Sequence, residues 1–423
     1  MKKYFIIIFA IVCFSPQVLG FWKFIRKIIQ NEDSNIVRVR TTKEMTERSA
    51  ENAVLDFIGL VEQYKGYTAE EYQVTTHDGY ILTLHRVSGS PSNPAASGKS
   101  VVYIGHGLFG SSDFFAILGP QQALLYMLAD AGYDVWIGNF RGNTYSRRHV
   151  KYSVNSDNLK YWGFSMDELG LIDLPLFIDT VLEKTNKTKL SYIGYSMGNT
   201  LSAMLLSAKP EYNDKMHVVV SIAPVVLFTP PFSSLSRALL SLSVPAKILI
   251  LSSQAYQILP QSKLIQTIGK DVCVKTSGQL LCNGFLNNIV HVNRMNTTYI
   301  PIILKYAPAG ASYFMVDQYA QFLKTGEFRP YNFGFLRLSI RRDSLIPSKY
   351  DLTRVTSPQA LFYSDSDVYS NVRDVETLSS IFPNVVALEK ITNFNHLDYM
   401  WLDEDKEVLY NRVLEIIREQ SNE

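Results

Sequence analysis

Ser196 stands in Gly194-Tyr195-Ser196-Met197-Gly198, His396 stands in Asn395-His396-Leu397-Asp398, and Asp365, Asp367 and Asp374 fall close together between them. A serine hydroxyl is a poor nucleophile until an imidazole takes its proton, and the imidazole needs a carboxylate to fix its tautomer and orientation. Together the three residue types can carry acyl transfer. The chain order Ser, acid, His is the one expected when the serine sits on a strand-to-helix turn. Alone, Gly-x-Ser-x-Gly is weak evidence, since it arises by chance in roughly one chain of this length in seven. What surrounds it decides.

Before Ser196, LSYIG reads as a buried strand; after it, Leu201, Met204, Leu205 and Ala208 recur at helical spacing. A sharp turn there forces the serine backbone into strain, and strand and helix converge so closely that only small residues fit two positions to either side, a need that Gly194 and Gly198 meet. His396 follows the apolar run VVALEKI, the end of a strand where a loop histidine has reason to be functional. Asp365 and Asp367 follow the run ALFYS, and periodicity does not choose between them. Asp374 falls in the first turn of the next helix, where the dipole alone favours an acid. As calcium ligands these aspartates lack the rest of a loop motif. An acyl-transfer site also needs N–H donors for the oxyanion. VVYIGHGLFGSS, residues 101–112, is a strand ending in a His-Gly turn, so the expected donors are the backbone N–H groups of Leu108 and Met197, with His106 shaping the loop.

The wider pattern agrees with that placement. EYQVTTHDGYILTLHRV alternates around Asp78-Gly79 as a hairpin does. Short apolar runs at 101–105, 135–138, 190–194, 360–364 and 385–391 are each followed by a helix-like pattern. Such alternation implies a mostly parallel sheet with helices on both faces. From 227 to 351 the rhythm breaks into an apolar, proline-punctuated stretch, expected to be a mainly helical cap inserted into the sheet domain. The core is then 51–226 and 352–423.

Hydrophobic residues make up 47% and charged residues 19%, which excludes a disordered chain. Residues 1–20, two lysines followed by an apolar run and small residues near Gly20, have the layout of a secretory signal peptide, and the run is too short to span a bilayer. Residues 21–50 form a separate segment that a maturation step could remove. The chain carries 41 Lys and Arg against 39 Asp and Glu, and loss of Lys2 and Lys3 with the leader leaves it neutral, without a global basic footprint for nucleic acid. Of three cysteines, Cys13 lies in the leader, so Cys273 and Cys282 are expected to form one disulfide. Asn186-Lys-Thr and Asn296-Thr-Thr are glycosylation sequons suited to an exported chain.

With these residues in hand, the chain resembles the acid lipase family of gastric and lysosomal lipases and their insect relatives, from about Tyr67 to its end. The likeness is carried by DGYILTLHR at 78–86, HGL at 106–108, DAGYDVWIGNFRGNTYSRRH at 130–149, YWGFSMDELGLIDLP at 161–175, the serine turn, PAGAS at 308–312 and NHLDYMW at 395–401. It implies an α/β-hydrolase core under a cap with a movable lid, and a disulfide between the two cysteines beyond the leader. Residue by residue, it implies Ser196 as nucleophile and His396 as base. Asp367 is implied as the orienting acid, because the family's aspartate lies seven residues before an Asp-Val pair, here Asp374-Val375. Leu108 and Met197 are implied as oxyanion donors. Two departures stand out: Tyr195 and Met197 replace the usual Gly-His-Ser-Gln-Gly residues, and Gln318 stands where relatives tend to have histidine.

The expected protein is therefore a secreted or lysosomal serine hydrolase. It cleaves carboxylic esters of neutral lipids, triacylglycerols or sterol esters, at a lipid-water interface through an acyl-enzyme, and needs no metal or organic cofactor. Two alternatives stay open, an esterase for short soluble esters and a non-catalytic lipid-binding relative with the same fold. Oligomeric state is not legible.

Overall fold

The computed structural model of the chain describes residues 36, 38–47, 53–156, 158–230, 232–269, 273, 290–291, 294–334, 349–402 and 406–421. The leader expected at residues 1–20, most of 21–50 and Cys282 lie outside these residues. Cys273 is buried and disulfide-bonded.

Eight strands give the frame: β1 Thr68–Thr75, β2 Tyr80–Gly89, β3 Val101–Gly105, β4 Asp134–Asn139, β5 Leu190–Tyr195, β6 Met216–Ile222, β7 Gln359–Ser364 and β8 Val385–Ile391. They lie in the order β1-β2-β4-β3-β5-β6-β7-β8, and the two-residue strand Arg148–His149 adds to β2. β1 and β2 pair antiparallel, as do β2 and β4, while β3 to β8 all pair parallel. Every residue of β3, β4, β5 and β7 is buried, which is why these read as unbroken apolar runs. β1 lies at the edge and alternates instead.

Helices cover both faces. Alternate residues such as Ile104, Ile193, Val220 and Phe362 pack on one face with α1 Leu124–Asp130 and the C-terminal helix Lys406–Ser421. Tyr103, Tyr192, Val219 and Leu361 pack on the other with α2 Leu174–Thr185 and α3 Met197–Ala208. β6 is not among the strands read from the sequence: the helix that follows it, Ser234–Ser253, begins only after residues 223–233 and lies in the inserted stretch, so the strand-then-helix rhythm that marks the others is missing.

Between Ile222 and Gln359 the described chain adds nothing to this sheet. It carries α4 Ser234–Ser253, α5 Ile300–Tyr306 and α6 Tyr313–Thr325, with a two-residue antiparallel pairing of Gln257–Ile258 with Ala311–Ser312. α4 packs on α6, and Lys247 pairs with the buried Asp317 across them at 2.9 Å. After β7 comes α7 Val372–Ile381, and the chain closes with α8, the helix Lys406–Ser421.

Candidate active site

Because β3, β5, β7 and β8 run parallel, their C-terminal ends lie along one edge of the sheet, and the loops that follow them meet there. That edge receives the His106–Gly110 turn after β3, Ser196 after β5, Asp367 after β7 and His396 after β8. Residues hundreds of positions apart are thereby brought into contact.

Ser196 is the single residue between the end of β5 and the start of α3, with φ 53° and ψ −114°. Such a backbone costs a non-glycine residue about 1–3 kcal/mol. The surroundings hold it. Ser196 N–H donates to Ile222 O at 3.1 Å, and its carbonyl accepts from Asn199 N–H at 3.0 Å. The flanking glycines are required by space: a Cβ on Gly198 would sit 2.3 Å from Gly105 O, and one on Gly194 would sit 2.0 Å from Asn199 Oδ1.

His396 Nε2 lies 2.8 Å from Ser196 Oγ, and its Nδ1 lies 2.9 Å and 3.0 Å from the two carboxylate oxygens of Asp367. The carboxylate accepts an Nδ1–H, so the Nε2 lone pair faces the serine hydroxyl. Asp367 Oδ1 also accepts from Tyr369 N–H at 2.8 Å and Ser370 N–H at 3.0 Å, which fixes its position. All three side chains are buried. The other two aspartates are used elsewhere. Asp365 accepts from Asn393 N–H at 2.8 Å at the surface, and Asp374 accepts from Thr229 N–H at 2.9 Å beside the N-cap Asn371.

On the other side of Ser196 lies the β3 turn. A Cβ on Gly107 would be 3.2 Å from Ser196 Cβ, so the turn sits directly against the serine. Leu108 N–H and Met197 N–H have no protein acceptor among the described residues. Met197 is first in its helix, where no intrahelical acceptor exists, and its thioether is buried in the core. Departure from the usual residue therefore changes the core and leaves the N–H in place.

His106 shapes this turn in a particular protonation state. Its Nδ1 lies 2.8 Å from Gly107 O and therefore donates; its Nε2 then accepts from Phe140 N–H and from Asn143 Nδ2, both at 3.3 Å. Only a neutral ring allows this, and burial pushes its pKa down to about 4. Asn143 Nδ2 also donates to Asn139 Oδ1 at 3.0 Å, and Asn139 in turn holds Ser112 N–H at 3.0 Å. A buried amide chain thus connects the middle of the sheet to the His-Gly turn.

A second serine-histidine contact exists within that network. Ser112 Oγ lies 2.7 Å from His85 Nδ1, whose Nε2 faces Glu71 at 3.3 Å. Ser112 and His85 are both fully buried, with His85 stacked flat on Phe57. Ser112 begins a short 3-10 turn after an extended residue, without a strained backbone. The chemistry of the parts is alike; access for a substrate is absent, and packing explains the pair.

Two sets of contacts are not legible from the sequence, one made by Tyr195, noted there only as a departure from the usual residue, and one by Arg141. Tyr195 Oη donates to His396 O at 2.6 Å, and its ring lies against the imidazole with centroids 5.6 Å apart. The residue before the serine thus supports the loop that carries the histidine. Arg141 is the other: wholly buried, it reaches Asp173 at 2.6 Å and Asp78 at 2.7 Å, with its guanidinium over the Tyr80 ring at 4.0 Å. These residues belong to three of the motif segments, at 78–86, 130–149 and 161–175, which are tied together below the site. Asp173 closes a π-helical turn, Leu169–Asp173, that follows the Ser165–Glu168 capping box. Gln318 belongs to the same layer, donating to Asp167 Oδ1 at 2.9 Å and accepting from Met166 N–H at 2.8 Å.

The sequon residues Asn186 and Asn296 are both exposed. Among the described residues there is no cluster of potential metal ligands and no helix long and apolar enough to cross a membrane.

Comparison with known proteins gives the family and the fold. Residues 60–119 match the family model described as a partial alpha/beta-hydrolase lipase region, and residues 100–242 match the alpha/beta hydrolase fold. Gastric triacylglycerol lipase of Mus musculus is 34% identical over 363 residues, 84% of this chain and 90% of the relative. Lipase 3 of Drosophila melanogaster is 34% identical, covering 82% and 89%. Gastric triacylglycerol lipase of Homo sapiens is 32% identical, covering 84% and 89%.

Proposed function

The chain belongs to the α/β-hydrolase lipase family of these relatives, and on that premise we propose that it hydrolyses carboxylic esters of neutral lipids through an acyl-enzyme on Ser196. His396 Nε2 takes the serine proton as Oγ attacks the ester carbonyl, while Asp367 holds Nδ1–H and stabilises the imidazolium. The oxyanion is received by Leu108 N–H and Met197 N–H, a contribution of about 3 kcal/mol per donor in comparable sites. His396 then protonates the leaving alcohol, and water, activated by the same imidazole, releases the fatty acid.

The observation that carries the proposal is the unbroken contact from Asp367 through His396 to Ser196, made at a strained turn beside two N–H groups without acceptors among the described residues. It also favours an active enzyme over a silent lipid-binding relative, which has no need to keep strain and triad together. A lipid surface is favoured over short soluble esters by α4, where Leu242, Val244 and Ile248 are 61%, 61% and 66% exposed within two turns. On this basis residues 227–351 are assigned as a cap with α4 as its lid, over a core of 51–226 and 352–423. The leader and exposed sequons suit a secreted or lysosomal chain.

The test is hydrolysis of emulsified triolein and cholesteryl oleate by the secreted protein and by Ser196→Ala. Activity on either that disappears in the variant supports the serine mechanism. A folded protein inactive on both lipids and on a short ester would leave only the binding reading.

A further inference from the structure

A cavity of about 320 Å³ lies between Ile36 and Arg38, Thr144 and Arg147, and Pro260 and Gln261, none of them a residue of the serine site. Its polar groups do not balance. Arg38 is neutralised by Asp113 at 2.9 Å and shares Tyr145 Oη with it. Gln261 accepts from Arg38 at 2.9 Å and donates its amide to Lys305 O. Thr144 Oγ1 donates to Ala309 O at 3.2 Å. Among the described residues Arg147 has one hydrogen bond, a long one of 3.3 Å to Gln257 Oε1, and it lies 5.5 Å from the centroid of the Trp162 ring.

Three other buried or half-buried arginines are paired with acids: Arg38 with Asp113, Arg86 with Asp134 and Glu70, Arg141 with Asp173 and Asp78. Arg147 breaks this pattern. Among the described residues no carboxylate pairs with it, and burial draws its pKa down, opposed by the Tyr161 hydroxyl and by no carboxylate. Nearby, Gln257 Nε2 and Arg38 Nε are buried N–H groups without an acceptor. A half-buried guanidinium, spare donors and an open volume are together what an oxyanion would complete.

We propose that this cavity binds the head of a small oxyanion, carboxylate or phosphate, with Arg147 as its charge partner. Ile36 and Pro260 on the wall favour a carboxylate that carries a short alkyl chain. The anion site itself does not depend on the serine chemistry; only the suggestion that a fatty-acid product is its carboxylate rests on the function proposed above.

Calorimetric titration of the full secreted chain with phosphate, acetate and octanoate, at matched ionic strength, tests this. Saturable one-to-one binding is expected, tighter for octanoate than for acetate. Arg147→Gln should weaken it by about 10- to 100-fold, the range for loss of a charge-assisted contact, while hydrolysis of a short soluble ester stays at the parent rate. Arg147→Lys keeps the charge without the planar fork and should bind at an intermediate strength, which decides the matter if the glutamine variant is unstable. Phosphate binding alone, if lost with Arg147, makes this a phosphate site. Absence of saturable binding by all three anions, or unchanged affinity in the variants that fold, overturns the proposal.

Discussion

The hydroxyl of Tyr195 donates to the main-chain oxygen of His396 at 2.6 Å, so the residue next to the proposed nucleophile holds the loop of its proposed base. Tyr195→Phe keeps the ring against the imidazole and removes this bond, leaving a buried carbonyl without its donor. A loss of about 1–1.5 kcal/mol in transition-state stabilisation is expected, a roughly tenfold fall in kcat. Steady-state kinetics on a soluble ester would show it, with KM little changed.

Asp367→Ala and Asp365→Ala should separate cleanly. The first removes the group that holds His396 Nδ1–H and is expected to lower kcat by about 10⁴-fold, as loss of a triad acid does. The second cuts a surface turn contact to Asn393 and should leave kcat within about twofold while shifting stability slightly. Similar losses in both would mean that the carboxylate was assigned wrongly.

At position 196 itself, strain and entropy compete. Relief of the positive φ is worth about 1–3 kcal/mol, against about 0.5–1 kcal/mol for glycine's greater freedom when unfolded. Strain should win: both Ser196→Gly and Ser196→Ala are inactive, and the glycine variant melts higher. A glycine variant that melts no higher than the alanine variant would show that the strain is worth no more than glycine's entropy cost of about 0.5–1 kcal/mol.

The two flanking glycines differ in what a methyl would strike. On Gly198 it meets the backbone oxygen of Gly105, which is fixed in the sheet; on Gly194 it meets the Asn199 side-chain amide, which can rotate. Gly198→Ala should therefore cost more, on the order of 2–3 kcal/mol as overpacking does, than Gly194→Ala. Urea denaturation of the two variants checks the ranking.

For His106 the sign follows from its neutral state. Its folded pKa of about 4 lies below the unfolded value near 6.5, so acid protonates the unfolded chain first. The stability it contributes is complete above about pH 6.5 and is lost as pH falls toward 4, by on the order of 3 kcal/mol. Melting temperature measured between pH 7 and 4 should fall along this course, and should fall less in His106→Asn.

Much of this was legible because the sheet is parallel. Buried strands ending in Gly-rich turns announce themselves, and the edge to which they deliver Ser196, His106 and His396 follows from their common direction. The acid was not separable by pattern, since Asp365 and Asp367 share one loop and differ in which of them faces the imidazole, a matter of backbone geometry. β6 was hidden because the chain leaves it for the inserted helices. Tyr195, Asn143 and Arg141 act through contacts with residues far away in sequence, and a linear pattern carries no trace of such a partner.

Ala309, in the inserted stretch, is hydrogen-bonded through both its N–H and its carbonyl to the edge of the sheet that carries Ser196. Ala309 N–H donates to Phe109 O at 2.7 Å, and Ala309 O accepts from Thr144. Phe109 has a positive φ of 60° and follows Leu108, so its peptide has little freedom to turn alone. Any outward travel of the 309–312 segment must therefore either sever that bond or pull the Phe109 carbonyl along and tilt the neighbouring N–H. The segment is in this way tethered to the turn beside Ser196, so that a displacement of either one would be felt by the other.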